Sequence, residues 1–329
     1  MGCLELWDGW SIVETVEDVV RPCGIPVHRF GITARSNDGM FVSGSAATIG
    51  TDAALRGRGE LLERAAIIDA TRSPMDSVLL RDRDHRGTRR TSWAEVYPES
   101  ENPDCQRYAK SNGVALAENW AHACDRAAME LVERDRVLRS WFGLPGAPQK
   151  KPLPLAVLDR VPGYDWMCLE LLDEDSDISV VAAVGLPNEP GIPLVRGFGA
   201  DASASKAVER AERECLQSLG FLAADDIPAS KPAVVPTPTY HLDAYLWPRG
   251  VAALRAWLDP ASLRSKRPAR ARRRLRLDAI EYVDMTPPAL VGAACVAKAV
   301  CADAVPLVFG AGHPDLLGPV DDVPVHPIA

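Results

Sequence analysis

Three long helical segments, each with paired oxygen-bearing side chains in an otherwise apolar pattern, constrain this chain more than any other feature. Apolar residues recur at helical spacing over residues 51–70, 119–142 and 203–219. The first segment contains the sequence ELLER, the second ELVERD and the third ECLQ. Residues three positions apart share one face of a helix, so each segment presents two polar side chains next to each other.

Most of these paired side chains are carboxylates, which are costly to bury in an apolar helix without compensation. Magnesium offers that compensation, because Mg²⁺ prefers oxygen ligands and commonly bridges protein carboxylates to substrate phosphates. Five carboxylates and two arginines converging on one cavity would suit a nucleoside triphosphate with more than one metal ion. A solvated helix face with i,i+4 ion pairs explains any single copy equally well, whereas three copies favour a site. The candidate residues are Glu60, Glu63, Arg64, Glu130, Glu133, Arg134, Glu214 and Gln217.

The remaining pattern predicts a mixed α/β (α+β) fold with mixed sheets flanked by the long helices. Short apolar runs bounded by turn residues predict strands at 27–33, 39–43, 155–158, 167–171, 178–184, 280–284 and 305–309. Shorter helices are predicted at 251–258 and 288–300, and the arginine-rich residues 81–90 read as a surface excursion. Because the connecting segments are short, we expect one domain over residues 1–329.

Composition and charge exclude several classes of protein. No stretch approaches the roughly 18 uncharged apolar residues of a membrane helix, and the first residues lack the pattern of a signal peptide. The formal net charge of −8 argues against nucleic-acid binding. A basic run over residues 264–276 is expected to be solvated, with docking of an acidic peptide or partner as an alternative. The eight cysteines form no C-x-x-C pair, which favours free thiols and a cytoplasmic protein.

Three ordered blocks resemble the nucleotide-binding motifs of the YcaO family. Residues 43–70 resemble its first block, which ends in E-x-x-E-R, and residues 112–135 resemble its second, which ends in E-x-x-E-R-D. Residues 197–217 resemble its third block, which ends in E-x-x-Q. The proline-containing tail over residues 311–329 is similar to the terminus of peptide-modifying members. The resemblance therefore extends over most of the chain and implies a single YcaO-like domain.

The resemblance implies an ATP- and Mg²⁺-dependent enzyme that activates backbone amides in a ribosomally made precursor peptide for natural-product biosynthesis. In azoline-forming members, a Cys, Ser or Thr side chain attacks the preceding carbonyl, ATP phosphorylates the resulting oxygen, and phosphate leaves to give a thiazoline or oxazoline. The five glutamates would be the metal and ATP-site acids. Arg64 and Arg134 would pair with phosphate or carboxylate, and Gln217 would make a polar nucleotide contact. The residue that acts on the peptide stays unidentified.

The same resemblance leaves alternatives open. Thioamide or amidine formation would use a similar ATP site with a different incoming nucleophile. A degenerate, non-catalytic scaffold subunit is a further alternative, favoured by Ser45, Arg56 and Glu118, which stand where the family usually has other residues. The second block also has His122 in place of a common Glu. We expect a separate leader-peptide-binding partner protein, and family analogy favours a homodimer.

Overall fold

The computed structural model describes residues 6–72, 74–98, 108–189, 191–222, 230–233, 237–247, 251–259, 269–270, 272–310, 312–317 and 324–328. Two compact units divide the chain. Unit 1 draws on residues 1–98, 110–131 and 277–301, and unit 2 on residues 99–109, 132–276 and 302–329. The single domain expected from the sequence stays a prediction.

Twelve strands and six helices alternate along the described residues. The strands are β1 (Trp10–Val20), β2 (Val27–Ser36), β3 (Phe41–Thr48), β4 (Ser77–Arg81), β5 (Gly87–Ser92), β6 (Val114–Ala117), β7 (Gln149–Pro152), β8 (Tyr164–Leu172), β9 (Ser179–Pro187), β10 (Val195–Asp201), β11 (Glu281–Asp284) and β12 (Cys295–Val300). The helices are α1 (Ala53–Thr71), α2 (Trp93–Val96), α3 (Trp120–Phe142), α4 (Ala204–Leu222), α5 (Pro238–Leu246) and α6 (Val251–Leu258).

The mixed α/β class predicted from the sequence is confirmed. Unit 1 contains a three-stranded sheet in the order β1-β2-β3 and a five-stranded sheet in the order β5-β4-β11-β12-β6. Unit 2 contains a four-stranded sheet in the order β10-β9-β8-β7. All strand pairs in the described residues are antiparallel, which differs from the mixed sheets that the sequence predicts. Hairpins that join neighbouring strands account for much of this pattern.

The three long helices form where the apolar spacing predicts them, and α1 and α4 each bury one face against a sheet. In unit 1, Leu61 and Ala65 of α1 pack with Phe30 and Ile32 of β2. In unit 2, α4 packs on β10 and β9. Strand β9 is buried from Ser179 to Leu186, which explains its nearly continuous apolar sequence.

Several predicted elements differ from the structure. The pattern of residues 288–300 predicts an alanine-rich helix, but they form a short 3-10 turn followed by β12. Pairing with β11 on one side and β6 on the other outweighs the helix propensity of alanine. The excursion at 81–90 contains the turn of the β4–β5 hairpin and most of β5, and the runs at 155–158 and 305–309 are not strands of any sheet. The sequence prediction lacks seven of the observed strands: β1, β4, β5, β6, β7, β10 and β12.

Two further expectations can be compared with the described residues. Their six cysteines are free thiols, as predicted, and Cys124, Cys168 and Cys215 are buried. No helix among the described ranges combines the length and apolarity needed to span a membrane. Most of the basic run at 264–276 lies outside the described residues.

The described end of the C-terminal tail, residues 324–328, is held in unit 2 through its backbone. The Tyr245 hydroxyl donates to the carbonyl of Val325 at 2.5 Å, and His241 Nδ1 lies 3.1 Å from the carbonyl oxygen of His326. Burial lowers the pKa of His241 to about 4 and that of His326 well below its usual value. Both imidazoles are therefore neutral at pH 7.

Glycines allow the helices to approach the sheets closely in both units. A Cβ at Gly44 of β3 would lie 2.1 Å from the carbonyl oxygen of Gly57 and 2.4 Å from the amide nitrogen of Leu61, both in α1. In unit 2, a Cβ at Gly197 of β10 would lie 2.2 Å from the carbonyl oxygen of Ala211 in α4. Helix backbone therefore contacts strand backbone at these points, and side chains near the contact are fixed in place.

This close approach predicts opposite effects for two glycine substitutions. Gly44→Ala places a methyl group against helix backbone, so we expect it to lower the free energy of unfolding by about 1–3 kcal/mol. Gly59→Ala, in the same unit, adds a methyl group with no atom within 4 Å and improves helix propensity. We expect it to raise that free energy by about 0.5–1 kcal/mol. Urea unfolding followed by circular dichroism measures both, and a Gly44→Ala variant as stable as wild type would contradict the close contact.

Candidate functional site

Glu60 is held at the β3–α1 contact of unit 1 by backbone and side-chain groups. The amide nitrogen of Ser45, the residue after Gly44, donates to Glu60 Oε2 at 2.7 Å. The other carboxylate oxygen lies 2.6 Å from Arg64 Nη2, one helical turn further along α1. Arg64 also donates to the carbonyl of Ser43 at 3.0 Å, so the arginine spans the strand and the helix.

Glu214 occupies the corresponding position at the β10–α4 contact of unit 2. The amide nitrogen of Phe198, the residue after Gly197, donates to Glu214 Oε2 at 2.7 Å. The Ser218 hydroxyl, one turn further along α4, donates to the carbonyl of Arg196 at 3.1 Å. Glu214 is otherwise exposed.

The two arrangements match residue for residue. In each, a helix carbonyl contacts the strand glycine, and the glutamate lies three residues after the residue that carries this carbonyl. The glutamate accepts a hydrogen bond from the backbone N–H group of the residue that follows the glycine. The residue four positions after the glutamate donates to the carbonyl that precedes the glycine. We call this arrangement the carboxylate cradle. By the same spacing, Glu63 in α1 corresponds to Gln217 in α4, so the E-x-x-E and E-x-x-Q sequences occupy equivalent positions.

Glu63 and Glu130 form a second feature of unit 1. The amide nitrogen of Leu116 donates to Glu63 Oε2 at 3.0 Å, and that of Gly113 donates to Glu130 Oε1 at 3.3 Å. Loss of water around the Glu63 carboxyl group, together with the negative charge of Glu130, raises the pKa of Glu63 to about 8. A carboxylate whose proton affinity is raised by a second carboxylate nearby is a natural place for a cation.

Arg126 also belongs to this group, although the sequence motifs did not single it out as a site residue. Its Nη1 donates to the carbonyl of Leu116 at 2.7 Å, and its charge partly offsets the rise in the pKa of Glu63. Arg126 lies one helical turn before Glu130 in α3, and this spacing alone places the two side chains on the same face of the helix. It could therefore have identified Arg126 as a site residue.

Glu212 is a second carboxylate that the sequence motifs did not single out. It is buried, and its Oε1 accepts hydrogen bonds from three successive amide groups, at 2.9, 2.7 and 3.0 Å, which belong to Ala156, Val157 and Leu158. Glu212 therefore anchors the chain before β8. Its hydrogen bonds to the 156–158 backbone in the folded chain distinguish it from Glu214, which lies two residues further along α4.

The candidate residues divide between the two units. Unit 1 holds Glu60, Glu63, Arg64 and Glu130, and unit 2 holds Glu133, Arg134, Glu214 and Gln217. Glu133 and Arg134 are half-buried in the second half of α3. The site roles of all eight residues remain proposals.

The departures from the family motifs leave the cradle in unit 1 in place. Ser45 contributes its backbone N–H group, which almost any residue could supply. Arg56 forms an exposed ion pair with Asp52. Glu118 lies 2.5 Å from Nδ1 of His122, and both side chains are exposed.

Comparison with known proteins decides the family. A family model described as YcaO cyclodehydratase, ATP- and Mg²⁺-binding, matches residues 90–304, which is more than half of the chain. The chain belongs to the YcaO family. The match contains the second and third sequence blocks and begins after the first, and its description names the two cofactors predicted from the sequence, ATP and Mg²⁺. No curated protein matches the chain.

Solved structures confirm the YcaO fold. The YcaO protein from Methanopyrus kandleri, bound with AMPPCP and Mg²⁺, aligns with a TM-score of 0.57 at 17% identity, covering 93% of this chain and 91% of that one. The Escherichia coli microcin synthetase McbBCD complex aligns with a TM-score of 0.57 at 12% identity, with coverages of 92% and 90%. A heterocyclase in complex with substrate and cofactor gives 0.54 at 16% identity, and the alignment covers 88% of this chain but 49% of that one.

The donor set of unit 1 fits magnesium. Glu63 and Glu130 are hard oxygen donors whose mutual repulsion a divalent cation would relieve. Within the ranges that the structure describes, no three His, Cys, Asp or Glu side chains form a group that could hold a metal ion. Mg²⁺ commonly takes only one or two protein carboxylates and completes its octahedron with water and phosphate oxygens. A pair of carboxylates therefore suits a site shared with a nucleotide.

The raised pKa of Glu63 predicts a pH-dependent effect of Glu63→Gln on the free protein. An unfolded glutamate has a pKa near 4.5, so the folded state binds more protons between that pH and about 8. The stability of the wild type therefore falls as the pH rises through this window. Glutamine still accepts the Leu116 hydrogen bond and cannot ionise. We expect the Tm of Glu63→Gln to exceed that of wild type by a margin that grows to a few degrees at about pH 8.

Differential scanning fluorimetry from about pH 5 to 8.5, without nucleotide or metal, measures this margin. Glu189→Gln, which changes an exposed glutamate of unit 2, serves as the matched control and should show no growing margin. A difference in Tm between Glu63→Gln and wild type that stays constant with pH would show that the surroundings do not destabilise the ionised form of Glu63.

Proposed function

We propose that this protein is an ATP- and Mg²⁺-dependent enzyme that activates backbone amides of a ribosomally synthesised precursor peptide. The observation that carries the proposal is the carboxylate cradle, which is present in each unit and holds Glu60 and Glu214 through the same type of backbone hydrogen bond. A scaffold that binds no cation has no need to hold two glutamates in this way. Membership of the YcaO family supports the same proposal.

The residues of this chain would divide the work of binding Mg·ATP as follows. Glu60, Glu63, Glu130, Glu133 and Glu214 would hold magnesium, and Glu63 and Glu130 are placed for it by backbone N–H groups. Arg64, which already bridges Glu60 and the strand, would contact phosphate or keep that carboxylate in position. We assign Arg134 the same type of role and Gln217 a polar contact with the nucleotide. Bound ATP would supply the phosphoryl group that turns an amide oxygen into a leaving group.

We assign cyclodehydration of Cys, Ser or Thr to thiazoline or oxazoline as the reaction. Two of the structures with this fold support it, one a heterocyclase in complex with substrate and cofactor, the other a microcin synthetase complex with pro-MccB17 bound. By the same analogy, we propose that the protein acts in the cytoplasm with a separate partner protein that binds the leader peptide. A homodimer is part of the proposal.

Thioamide or amidine formation is the second candidate, because the ATP site would be the same and only the nucleophile would differ. A degenerate scaffold is the third, and the exposed Glu118–His122 pair in place of the usual family residues is the observation in its favour. Calorimetry separates the scaffold from the enzymes, and product mass separates azoline formation from thioamide formation.

A double substitution tests the nucleotide site. We expect Glu60→Gln combined with Glu130→Gln to weaken Mg²⁺-dependent binding of a fluorescent, non-hydrolysable ATP analogue by about a hundredfold, because two anionic oxygen donors are lost. The matched control is Glu174→Gln combined with Glu189→Gln, two exposed glutamates of unit 2. Circular dichroism verifies that both variants fold. Unchanged binding by the folded double variant would remove these acids from the site.

Product mass tests the reaction. Incubation with the precursor peptide, partner protein and Mg·ATP should remove the mass of one water molecule per modified residue and release phosphate. Replacement of oxygen by sulfur, seen when a sulfide source is present, would indicate thioamide formation. Nucleotide binding without any change in peptide mass would favour the scaffold.

A further inference from the structure

Strand β1 is a long free edge in unit 1. It spans Trp10–Val20 and pairs with β2 on one side, and the sheet order β1-β2-β3 leaves its other side open in the part of the chain that the structure describes. Such an edge presents unpaired N–H and C=O groups, which proteins usually shorten or cover. An open strand of this length can accept another strand.

Apolar side chains on β1 are exposed to an unusual degree. Ile12, Val13, Val16 and Val19 have exposed fractions of 52%, 50%, 48% and 48%. Side chains alternate between the two faces of a strand, so these residues leave apolar surface on both faces of the edge. A strand that docks alongside β1 would cover that surface with its own apolar side chains.

Acidic side chains decide what kind of strand fits. Asp18 already pairs with Arg29 of β2, at 2.7 Å between Asp18 Oδ1 and Arg29 Nε. Glu14 and Glu17 have no ion-pair partner among the described residues. Neither Lys nor Arg occurs between residues 10 and 20. The edge therefore carries two uncompensated carboxylates between its apolar residues.

This charge disfavours a second copy of the same strand as the occupant. Two paired β1 strands would bring four uncompensated carboxylates, two from each copy, onto neighbouring strands about 4.8 Å apart without a cation between them. Like charges opposite each other destabilise a strand pair, whereas opposite charges contribute roughly 0.2–1 kcal/mol for each cross-strand pair. A strand that carries Lys or Arg meets this requirement.

We propose that the free edge of β1 binds an extended segment of another polypeptide that carries basic residues among apolar ones on both of its faces, adding it to the sheet as a fourth strand. Main-chain hydrogen bonds to β1 supply most of the affinity, and Glu14 and Glu17 select basic side chains. This docking surface is independent of nucleotide binding, so its test neither requires nor measures the proposed function.

The probe is a fluorescein-labelled peptide of about eleven residues in which lysines three positions apart stand among valines, so that each face carries a lysine, and binding is followed by fluorescence anisotropy. We expect Glu14→Lys combined with Glu17→Lys to weaken binding at least about tenfold, because repulsion replaces attraction. Asp177→Lys combined with Glu189→Lys makes the same change in net charge at exposed positions of unit 2 and should bind as wild type does. Thermal unfolding confirms that both variants fold.

Two matched peptides test the geometry. A peptide with glutamate in place of lysine, and a lysine peptide N-methylated at alternate residues to block strand pairing, should each bind at least about tenfold more weakly. Three results would each overturn the proposal. These are equal weakening of peptide binding by the two double variants of the protein, binding of the N-methylated peptide as tight as that of the unmethylated one, and no binding of the basic peptide to wild type. Sedimentation tests self-pairing of β1. If the wild type is a dimer and Val13→Lys combined with Val16→Lys dissociates it, β1 pairs with a second copy and the proposal is overturned.

Discussion

Direct contact between a helix and a strand glycine is the constraint on which the candidate site depends. At Gly44 and at Gly197 a side chain of any size would collide with helix backbone. Because nothing separates the two backbones, a glutamate on the helix reaches the N–H group of the next strand residue, and its carboxylate is fixed without an ordered loop. Rigid strands and helices hold functional groups more accurately than loops do.

The Glu63–Glu130 pair of unit 1 carries an electrostatic cost. Glu63 loses water and lies near Glu130, so its ionised form is unfavourable in the free protein. The backbone N–H group of Leu116 offsets part of that cost, and the charge of Arg126 offsets a smaller part. The repulsion that remains is the kind that a bound divalent cation relieves. A site of this type trades stability of the empty protein for affinity towards its ligand.

Sequence patterns predict those parts of the structure that depend on local spacing. The helices that carry Glu60, Glu130 and Glu214 follow from a period of 3.6 residues, and the motifs on them are enough to indicate the family. Strand pairing is harder to predict from the sequence, because it depends on residues that are distant along the chain. The segment 288–300 is alanine-rich and predicts a helix, yet its residues 295–300 form a strand between two others that the local pattern does not link to it.

The cradles show the same limit at the level of the site. The glycine-rich sequence of β10 has the composition of a loop, and only its contact with α4 explains why Gly197 is required. Nor does spacing reveal that Glu60 and Glu214 are equivalent, since more than 150 residues separate them. The roles of Glu212 and Arg126 likewise depend on backbone groups that lie far from them in the sequence.

The central claim is that these carboxylates bind a nucleotide through magnesium. Isothermal titration calorimetry of the wild-type chain with a non-hydrolysable ATP analogue, in Mg²⁺ and again in EDTA, tests it most directly. The account predicts binding in Mg²⁺ at about one nucleotide per chain and a loss of at least about tenfold in affinity in EDTA. Equal affinity under both conditions, or no binding by the folded chain, would contradict it.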